Sequence, residues 1–420
     1  MVQDYSKKTV CVVDNGLFIE LAIMLSKSFG KVYYYSPWQS GFVKSNSIII
    51  GEGVPNIERI NYVFDIINKV DLWVFPDVYF SDMQVYLASI GKRVFGSRKG
   101  DELELYRKES KEHFKKLGLP VGKYAVVKGL DDLREYLKQH DNVYIKLSFT
   151  RGDTETFHSE NYDNIEPKLD ELEHTLGAVK HIKEFIVEDA IDDAVETGID
   201  TICIDGKFPD HAMVGIEVKD KGYIGKIRKY SELPKEITHF NDVISDTLKK
   251  YKYRNFYSTE IRVTKEHKDF MTDLCSRAGS PPNELYQNMY LNLADIMWFG
   301  AEGECLDVEF KDEYGAEVLI ISNWADKNWQ AIEFPESIRD NVKLRNLTII
   351  NKKYYAAPQA VGIPEIGAVV ASGKTMEEAI KNVQKLAEQV KGHYIEIPVS
   401  CLDSAQEELK KLEDFNIKLF

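Results

Sequence analysis

Apolar runs alternate with amphipathic stretches at the start of the chain, and this pattern predicts a parallel sheet with helices packed against it. The apolar run over 8–14 ends at an Asn-Gly pair, a helical pattern follows it, and KVYYYS forms the next apolar run. Two further apolar runs, over 70–77 and 92–96, flank another helical pattern. The turn after the first run lacks the G-x-G-x-x-G pattern, so it does not indicate a dinucleotide site.

The middle of the chain predicts a mixed arrangement of helices and antiparallel strands. A helix is predicted over 101–118, and a strand predicted over 181–191 ends in acidic residues. Later strands are separated by turns at Asp205-Gly206 and Lys221-Gly222, which favour hairpins. Residues 314–420 predict a separate α+β portion that contains a long amphipathic helix.

Residues 259–280, TEIRVTKEHKDFMTDLCSRAGS, predict a β-hairpin that carries two carboxylates. If the turn is centred at 266–267, Glu260 lies directly opposite Asp273, because opposed positions in a symmetric hairpin sum to a constant. Two opposed carboxylates repel each other unless a cation lies between them. Mg²⁺ fits this place, since it takes oxygen ligands from one or two carboxylates together with substrate phosphates.

The side chains of a strand alternate between its two faces, so the carboxylate face of this hairpin should also carry Arg262, Met271 and Cys275. The alternative is a solvated hairpin whose acids stay unpaired or contact Arg262. The local pattern alone leaves both interpretations open.

Composition and charge narrow the class of protein. The chain has 420 residues, 44% of them hydrophobic, and a net charge of −14, which works against a general nucleic-acid-binding surface. The five cysteines are scattered without metal-ligand spacing, as is typical of reduced thiols in a cytoplasmic protein. The N-terminal stretch has no signal-peptide apolar region, and no apolar run reaches the length that crosses a membrane.

Several groups that suit nucleotide chemistry follow one another in order along the chain. Basic residues at 107–108 precede LGLPVGKY, and a later strand ends in Lys146. The polar loop FTRGDTET follows, then the acidic strand end FIVEDAI, then Glu196 and finally the carboxylate hairpin. This order resembles the ATP-grasp superfamily, and within it the carboxylate–amine ligases of the phosphoribosylamine–glycine ligase type.

Three longer segments carry the same resemblance. IGKRVFGSRKGDELELYRKESKEHFKKLGLP is similar to the entry into that family's nucleotide-binding region. TDLCSRAGSPP is similar to the family's E-I-N-x-R-F-G-D-P-E segment, and EIGAVVASGKTMEEAIKNVQKLAEQV resembles the C-terminal piece of related ligases. The resemblance extends over most of the chain, roughly residues 8–395. The segments also appear in the family's order, which makes their sum more specific than any one of them.

The resemblance implies an α/β and α+β fold with a two-part clamp around ATP. Its parts would be a pre-ATP-grasp parallel-sheet domain over 1–120, a small subdomain over 121–191, a large subdomain with the metal hairpin over 192–312, and a C-terminal α+β domain over 313–420. The reaction it implies converts a carboxylate into an acyl phosphate, which an amine then attacks to form an amide. The implied partners are ATP, a small carboxylate, a small amine and a second copy of the chain, with neither nucleic acid nor membrane.

The resemblance also implies site residues. The nucleotide-binding positions are Arg107, Lys108, Lys146, Thr150, Arg151, Gly152, Thr154, Glu188, Asp189, Ala190, Ile191 and Glu196. Arg277, Lys226 and Arg228 would act on the γ-phosphate or the acyl phosphate, and Glu260 and Asp273 would bind Mg²⁺, for which Mn²⁺ can substitute. Each position also fits a plain structural role, as a surface charge or part of an ordinary loop, and that alternative stays open.

The chain departs from the family at positions that bear on activity. Arg107 stands where the family has a lysine, Asp273 where it has a glutamate, and Cys275 where it has an asparagine metal ligand. A thiol is a poor ligand for a hard cation such as Mg²⁺. Pro282 replaces an acid in the substrate region, so glycine and phosphoribosylamine are not carried over as substrates. An ATP-binding scaffold or sensor without catalysis, and an ATP-grasp kinase, are the alternative functions.

Overall fold

The first sheet is fully parallel in the computed structural model, which describes residues 4–36, 49–148, 156–358 and 365–420. Its strands lie in the spatial order β3-β2-β1-β4-β5. They are β1 (Thr9–Val13), β2 (Lys31–Tyr35), β3 (Ile57–Arg59), β4 (Leu72–Val74) and β5 (Arg93–Phe95), with the helices α1 (Ile19–Leu25) and α2 (Ser81–Ser89) between them. Val10 and Trp73 at the strand centres are fully buried, which explains why these strands appear as continuous apolar runs.

The helix predicted over 101–118 consists of two helices, α3 (Glu102–Leu105) and α4 (Arg107–Lys116). The backbone of Tyr106 leaves the helical region at φ −102° and ψ 69°. The Ser110 hydroxyl donates to the Glu102 carbonyl at 3.0 Å, and so does the Tyr106 N–H at 3.1 Å. A side-chain hydroxyl that bonds a backbone carbonyl competes with the helical N–H···O=C bonds and favours a break in the helix. The spacing of apolar residues carries no sign of such a bond.

A small antiparallel sheet follows and carries its own apolar cluster, which includes Leu133, Leu169 and Phe185. Its spatial order is β6-β9-β7-β8. The elements are β6 (Tyr124–Lys128), α5 (Leu130–Leu137), β7 (Val143–Leu147), β8 (Thr156–Ser159), α6 (Tyr162–Leu176) and β9 (Glu184–Asp189). Both helices contribute apolar side chains to this cluster, so sheet and helices form one layered unit.

The largest sheet has eight strands and contains the predicted metal hairpin. The strands that follow β9 along the chain are β10 (Ala194–Ile204), β11 (His211–Val218), β12 (Gly222–Lys229), β13 (Arg254–Thr264), β14 (Asp269–Cys275), β15 (Tyr314–Ile321), β16 (Gln330–Glu333), β17 (Val342–Leu344), β18 (Leu347–Ile350), β19 (Lys353–Ala356), β20 (Glu365–Gly373) and β21 (Lys391–Gly392). The eight-stranded sheet has the order β14-β13-β10-β11-β12-β15-β20-β17, and β18-β19-β16-β21 forms a fourth sheet.

Five helices follow α6 in the described part of the chain. They are α7 (Lys235–Tyr251), α8 (Pro282–Met289), α9 (Leu293–Glu302), α10 (Met376–Ala387) and α11 (Cys401–Asp414). The predicted fold class, α/β followed by α+β, is confirmed. Among the described residues, no helix combines the length and the apolar character needed to cross a membrane.

The C-terminal portion is not separate from the segment before it, contrary to the expectation for 314–420. Strand β15 pairs antiparallel with β12, where Tyr223 lies opposite Glu317, so the sheet continues across the predicted boundary at 312/313. Pairing between strands so far apart in sequence leaves no local signal. The three boundaries between the four predicted domains, at 120/121, 191/192 and 312/313, therefore stay predictions.

Gly100 lies in a short 3₁₀ helix over Arg98–Asp101, where the backbone packs against the fully buried ring of Tyr253. A Cβ at Gly100 would lie 2.3 Å from Tyr253 Cδ2. We expect Gly100→Ala to lower the free energy of unfolding by about 1–3 kcal/mol, because the ring has to shift inside a packed core. Denaturant titration measures this loss.

Gly122→Ala is the matched control, because its Cβ would meet its nearest neighbour, Ile191 Cδ1, at an ordinary 3.8 Å. We expect a change within about 0.5 kcal/mol there. Equal losses in the two variants would show that close packing at Gly100 is not the cause.

Candidate active site

The hairpin of β13 and β14 places Glu260 directly opposite Asp273, as predicted. Beyond this pair the register shifts by one residue, because Thr272 is an extra residue on β14, and its hydroxyl donates to the Glu260 carbonyl at 3.0 Å. Met271 therefore pairs with Ile261 and is buried. The prediction that Met271 shares the carboxylate face is wrong, since the bulge reverses the alternation at that point.

Asp273 is held by Arg107, the first residue of α4. Arg107 Nη1 lies 3.0 Å from Asp273 Oδ1, and the guanidinium side chain is only 7% exposed. Desolvation favours the neutral carboxyl, but the positive charges of Arg107 and Lys146 outweigh it and hold the pKa of Asp273 at about 2. Asp273 is therefore an anion at neutral pH, as a metal ligand has to be.

Glu260 has the opposite electrostatic environment. Desolvation and the negative charges of Asp273 and Glu196 raise the pKa of Glu260 well above its usual range. A cation placed between Glu260 and Asp273 would remove this repulsion. Two carboxylate oxygens suit Mg²⁺, which completes its ligand sphere with waters and phosphate oxygens.

Cys275 does not fit as a further metal ligand. Desolvation raises the pKa of its thiol well above the usual range, so the thiol stays protonated, and only a thiolate binds metal. In the described parts of the chain, no three His, Cys, Asp or Glu side chains come together as a metal cluster. The two hairpin carboxylates thus fit a metal that is shared with a phosphate-bearing ligand.

Two lysines meet one buried glutamate beside the hairpin. Lys111 Nζ lies 3.0 Å and Lys146 Nζ 3.6 Å from Glu188 Oε1, and all three side chains are less than 10% exposed. Lys146 also donates to the Thr272 carbonyl, so it lies against β14, the strand that carries Asp273. Three cationic side chains, including that of Arg107, therefore lie beside the two hairpin carboxylates and Glu188.

Lys111 was not among the predicted site residues, although its spacing along the chain was a signal. Lys111 follows Arg107 by four residues, which places both side chains on one face of α4. Lys108 lies one position past Arg107, and its side chain is half-buried. The useful signal was therefore the helical spacing rather than adjacency to Arg107.

Arg277 lies just beyond the end of β14 and is nearly buried. Its Nε donates to Glu104 Oε1 at 2.8 Å, and Glu104 Oε2 accepts the Ser276 N–H at 2.7 Å. Arg277 is close enough to Asp273 for its charge to help lower the pKa of that carboxyl. Glu104 was not predicted, because its partners lie more than 170 residues away along the chain.

The predicted adenine edge follows β9. The N–H groups of Asp189 and Ala190 donate to the carbonyls of Lys123 and Asn142 at 3.0 and 3.1 Å, and the Ile191 side chain lies beside Gly122. Glu196, the predicted ribose acceptor, contacts Arg262 at 3.1 Å on the large sheet. The predicted phosphate-loop positions lie outside the described residues; they are Thr150, Arg151, Gly152 and Thr154.

Lys226 and Arg228 were predicted to act on phosphate, but their described contacts lie elsewhere. Lys226 Nζ is 4.9 Å from the centroid of the Tyr314 ring, on the neighbouring strand β15. Arg228 Nη1 donates to the carbonyls of Lys418 and Leu419 at 2.6 and 3.1 Å, which fastens the C-terminal tail. The structure thus gives Arg228 a structural contact instead of one with the hairpin.

We expect Arg228→Ala to lower the free energy of unfolding by about 1 kcal/mol, because two carbonyls of the tail lose a charged donor. Nucleotide binding should stay at the wild-type level. Thermal unfolding and calorimetric titration with Mg·ATP check the two parts. Lys229→Ala is the control, since Lys229 is exposed and its ion pair with Glu232 is 3.9 Å long. A loss of Mg·ATP affinity in Arg228→Ala would show that this residue contributes to phosphate binding.

Comparison of the whole chain with solved structures gives close agreement in fold. Phosphoribosylamine–glycine ligase from Thermotoga maritima superimposes with a TM-score of 0.66 at 16% identity, over 93% of this chain and 98% of that one. The fold is that of the ATP-grasp enzymes. No family model matches the chain, and no curated protein matches it in sequence.

Two further ATP-grasp structures agree over nearly the whole chain. The biotin carboxylase domain of 2-oxoglutarate carboxylase from Hydrogenobacter thermophilus, solved as a dimer with MgADP and bicarbonate, gives a TM-score of 0.67 at 12% identity and covers 97% of this chain and 98% of that one. An ADP complex of N5-carboxyaminoimidazole ribonucleotide synthetase gives 0.59 at 15% identity, over 97% of this chain and 100% of that one. The resemblance to the ATP-grasp superfamily is confirmed in the fold.

Proposed function

We propose that the chain is an ATP- and Mg²⁺-dependent ligase that activates a small carboxylate and joins it to an amine. The observation that carries this proposal is the meeting of two strand carboxylates, Glu260 and Asp273, with three buried cations from other elements. Arg107 and Lys111 come from α4, and Lys146 from β7. Burying so many charges is costly, and a structural core does not need them, so a ligand of high charge is the natural partner.

The charges suit phosphoryl transfer, which depends mainly on positioning and on neutralising phosphate charge. Lys111 and Lys146 would exchange Glu188 for phosphate oxygens, and Arg277 would bind the transferring phosphate or the substrate carboxylate. Mg²⁺, or Mn²⁺ in its place, would supply the remaining positive charge between Glu260 and Asp273. In the reaction, a carboxylate oxygen attacks the γ-phosphorus and ADP leaves. The amine nitrogen then attacks the acyl carbon, and phosphate leaves as the amide forms.

The remaining parts of the nucleotide site are proposed from the family resemblance and from placement. The backbone over 188–191 would border the adenine, Glu196 would accept from a ribose hydroxyl, and the loop over 150–154 would cover the phosphates. The solved relatives support ATP and Mg²⁺, since two of them contain ADP and one contains its magnesium salt. We also propose a cytoplasmic location, in line with five free cysteines, and a homodimer, the state in which one relative was solved.

The test is ADP release from Mg·ATP with pools of small carboxylates and amines. We expect release that requires one carboxylate and one amine together, and a product that contains both, seen by mass spectrometry. Absence of any Mg·ATP binding in calorimetry would overturn the proposal.

A second candidate function is an ATP-binding scaffold or sensor. The ion pair between Arg107 and Asp273 favours it, because an arginine already occupies a carboxylate that a catalytic metal needs. Tight Mg·ATP binding without turnover on any pool would support the scaffold.

ADP release with a phosphorylated hydroxyl and no amide would instead identify a kinase, the other alternative function.

A further inference from the structure

Glu104 is a buried carboxylate at the end of α3 that belongs to none of the predicted nucleotide or metal positions. Its side chain is 3% exposed, and that of its partner Arg277 is 11% exposed. One oxygen accepts from Arg277 Nε at 2.8 Å, and the other accepts from the Ser276 N–H at 2.7 Å. The carboxylate thus connects a guanidinium with the backbone next to it.

The backbone at 276–278 is also held by groups other than Glu104. The Ser276 hydroxyl donates to the Gly100 carbonyl at 2.7 Å, and the Ala278 N–H donates to the Pro76 carbonyl at 2.8 Å. Asn255 Nδ2 donates to the Ser276 carbonyl at 3.3 Å. Since these bonds fix the path of the chain, what Glu104 adds is the orientation of the Arg277 guanidinium.

Glu104 shares its placement with the cations of the site. Glu104, Arg107 and Lys111 follow one another at spacings of three and four residues along α3 and α4. Each contacts a different part of the site, through Arg277, Asp273 and Glu188 in that order. The two helices, on either side of the break at Tyr106, therefore both contribute side chains to the same site.

We propose that Glu104 is a positioning residue that aims the Arg277 guanidinium at the transferring phosphate. This inference rests on the proposed function. Arginine recognises phosphate through a planar fork, so the plane of the guanidinium decides whether two N–H groups can reach two oxygens. Nε is bonded to Glu104, and Nη1 also donates to the Ala278 carbonyl at 3.3 Å, so the plane is held before the substrate arrives and Glu104 supplies the charged, shorter contact.

The test is the Glu104→Gln variant in ADP release from Mg·ATP, with the carboxylate and amine that support turnover of the wild-type chain. Glutamine keeps the shape, but its single oxygen can accept from only one of the two donors. We expect kcat to fall by about 10- to 100-fold, as when a reacting group is displaced by about 1 Å. The KM for Mg·ATP should stay unchanged, because the orientation matters only in the transition state. Glu104→Asp keeps the charge and should recover part of kcat.

Glu20→Gln is the matched control. Glu20 is a buried glutamate that, like Glu104, accepts from an arginine and from a backbone N–H. Its Oε1 accepts from Arg339 Nη2 at 2.8 Å and from the Leu344 N–H at 3.1 Å, and its Oε2 accepts from Arg339 Nη1 at 3.3 Å. We expect a similar loss of unfolding temperature in both variants and loss of kcat only in Glu104→Gln. An equal loss of kcat in both, or a loss expressed in KM, would overturn the positioning role. A wild-type chain that binds Mg·ATP but releases no ADP with any pool of carboxylates and amines would also overturn that role, whereas one that does not bind Mg·ATP would overturn the proposed function itself.

Discussion

Replacement of Asp273 by asparagine should reduce Mg²⁺-dependent ADP release by about 1000-fold, the upper range for losing one group that stabilises transition-state charge. The amide keeps the size of the side chain but removes the negative charge that a metal needs. It also leaves the buried guanidinium of Arg107 without its carboxylate partner at 3.0 Å, so the variant should be less stable as well. Steady-state ADP release at saturating Mg²⁺ measures the first effect, and thermal unfolding measures the second.

Glu260→Gln separates the two effects. Because desolvation and the charge of Asp273 raise the pKa of Glu260, a neutral glutamine costs the fold little, while the second metal ligand is lost. We expect the same loss of ADP release with wild-type stability. Asp269→Asn is the control on β14, the strand of Asp273. The Asp269 carboxylate pairs with the exposed His239 at 2.7 Å, so this variant should change neither quantity. Wild-type turnover in both hairpin variants would contradict a metal site between these carboxylates.

Replacement of Lys146 by methionine should weaken Mg·ATP binding by about 30-fold, or ~2 kcal/mol, as expected when a buried ligand loses one charged donor. The unbranched methionine fills the same space but carries no charge. Lys111 remains 3.0 Å from Glu188, so the glutamate keeps a partner and the fold should be maintained. Calorimetric titration with Mg·ATP gives the affinity.

The control for Lys146 is Lys128→Met, because Lys128 is exposed on β6 of the same small sheet. Its affinity for Mg·ATP should equal that of the wild type. The double variant, with Lys111 also replaced by methionine, should lose more than either single variant. If Lys146→Met bound Mg·ATP normally, the buried lysines would serve only to neutralise Glu188.

Local patterns predicted the elements and the main feature of the candidate site. Continuous apolar runs predicted the parallel sheet, because strands that are buried on both faces have apolar residues at successive positions. The symmetric turn predicted Glu260 opposite Asp273. Both inferences needed only residues that lie near one another along the chain.

The parts that were missed depend on contacts between distant residues or on single hydrogen bonds. The bulge at Thr272 follows from one hydroxyl bonded to the Glu260 carbonyl, and it moved Met271 into the core. Glu104 gained its importance only when α3 met the end of β14. The contacts of Arg228 with carbonyls of the C-terminal tail were not predicted, because backbone acceptors carry no side-chain signal.

The pairing of β12 with β15 decides where this chain could be divided by protein engineering. A fragment ending at residue 312 would lose three of the eight strands of the large sheet, β15, β17 and β20. The fragment would present the bare backbone edge of β12, and such an edge readily recruits strands from other molecules. Residues 313–420 therefore complete the sheet whose opposite edge is formed by β14, and a truncation there would disturb the scaffold of the Glu260–Asp273 pair.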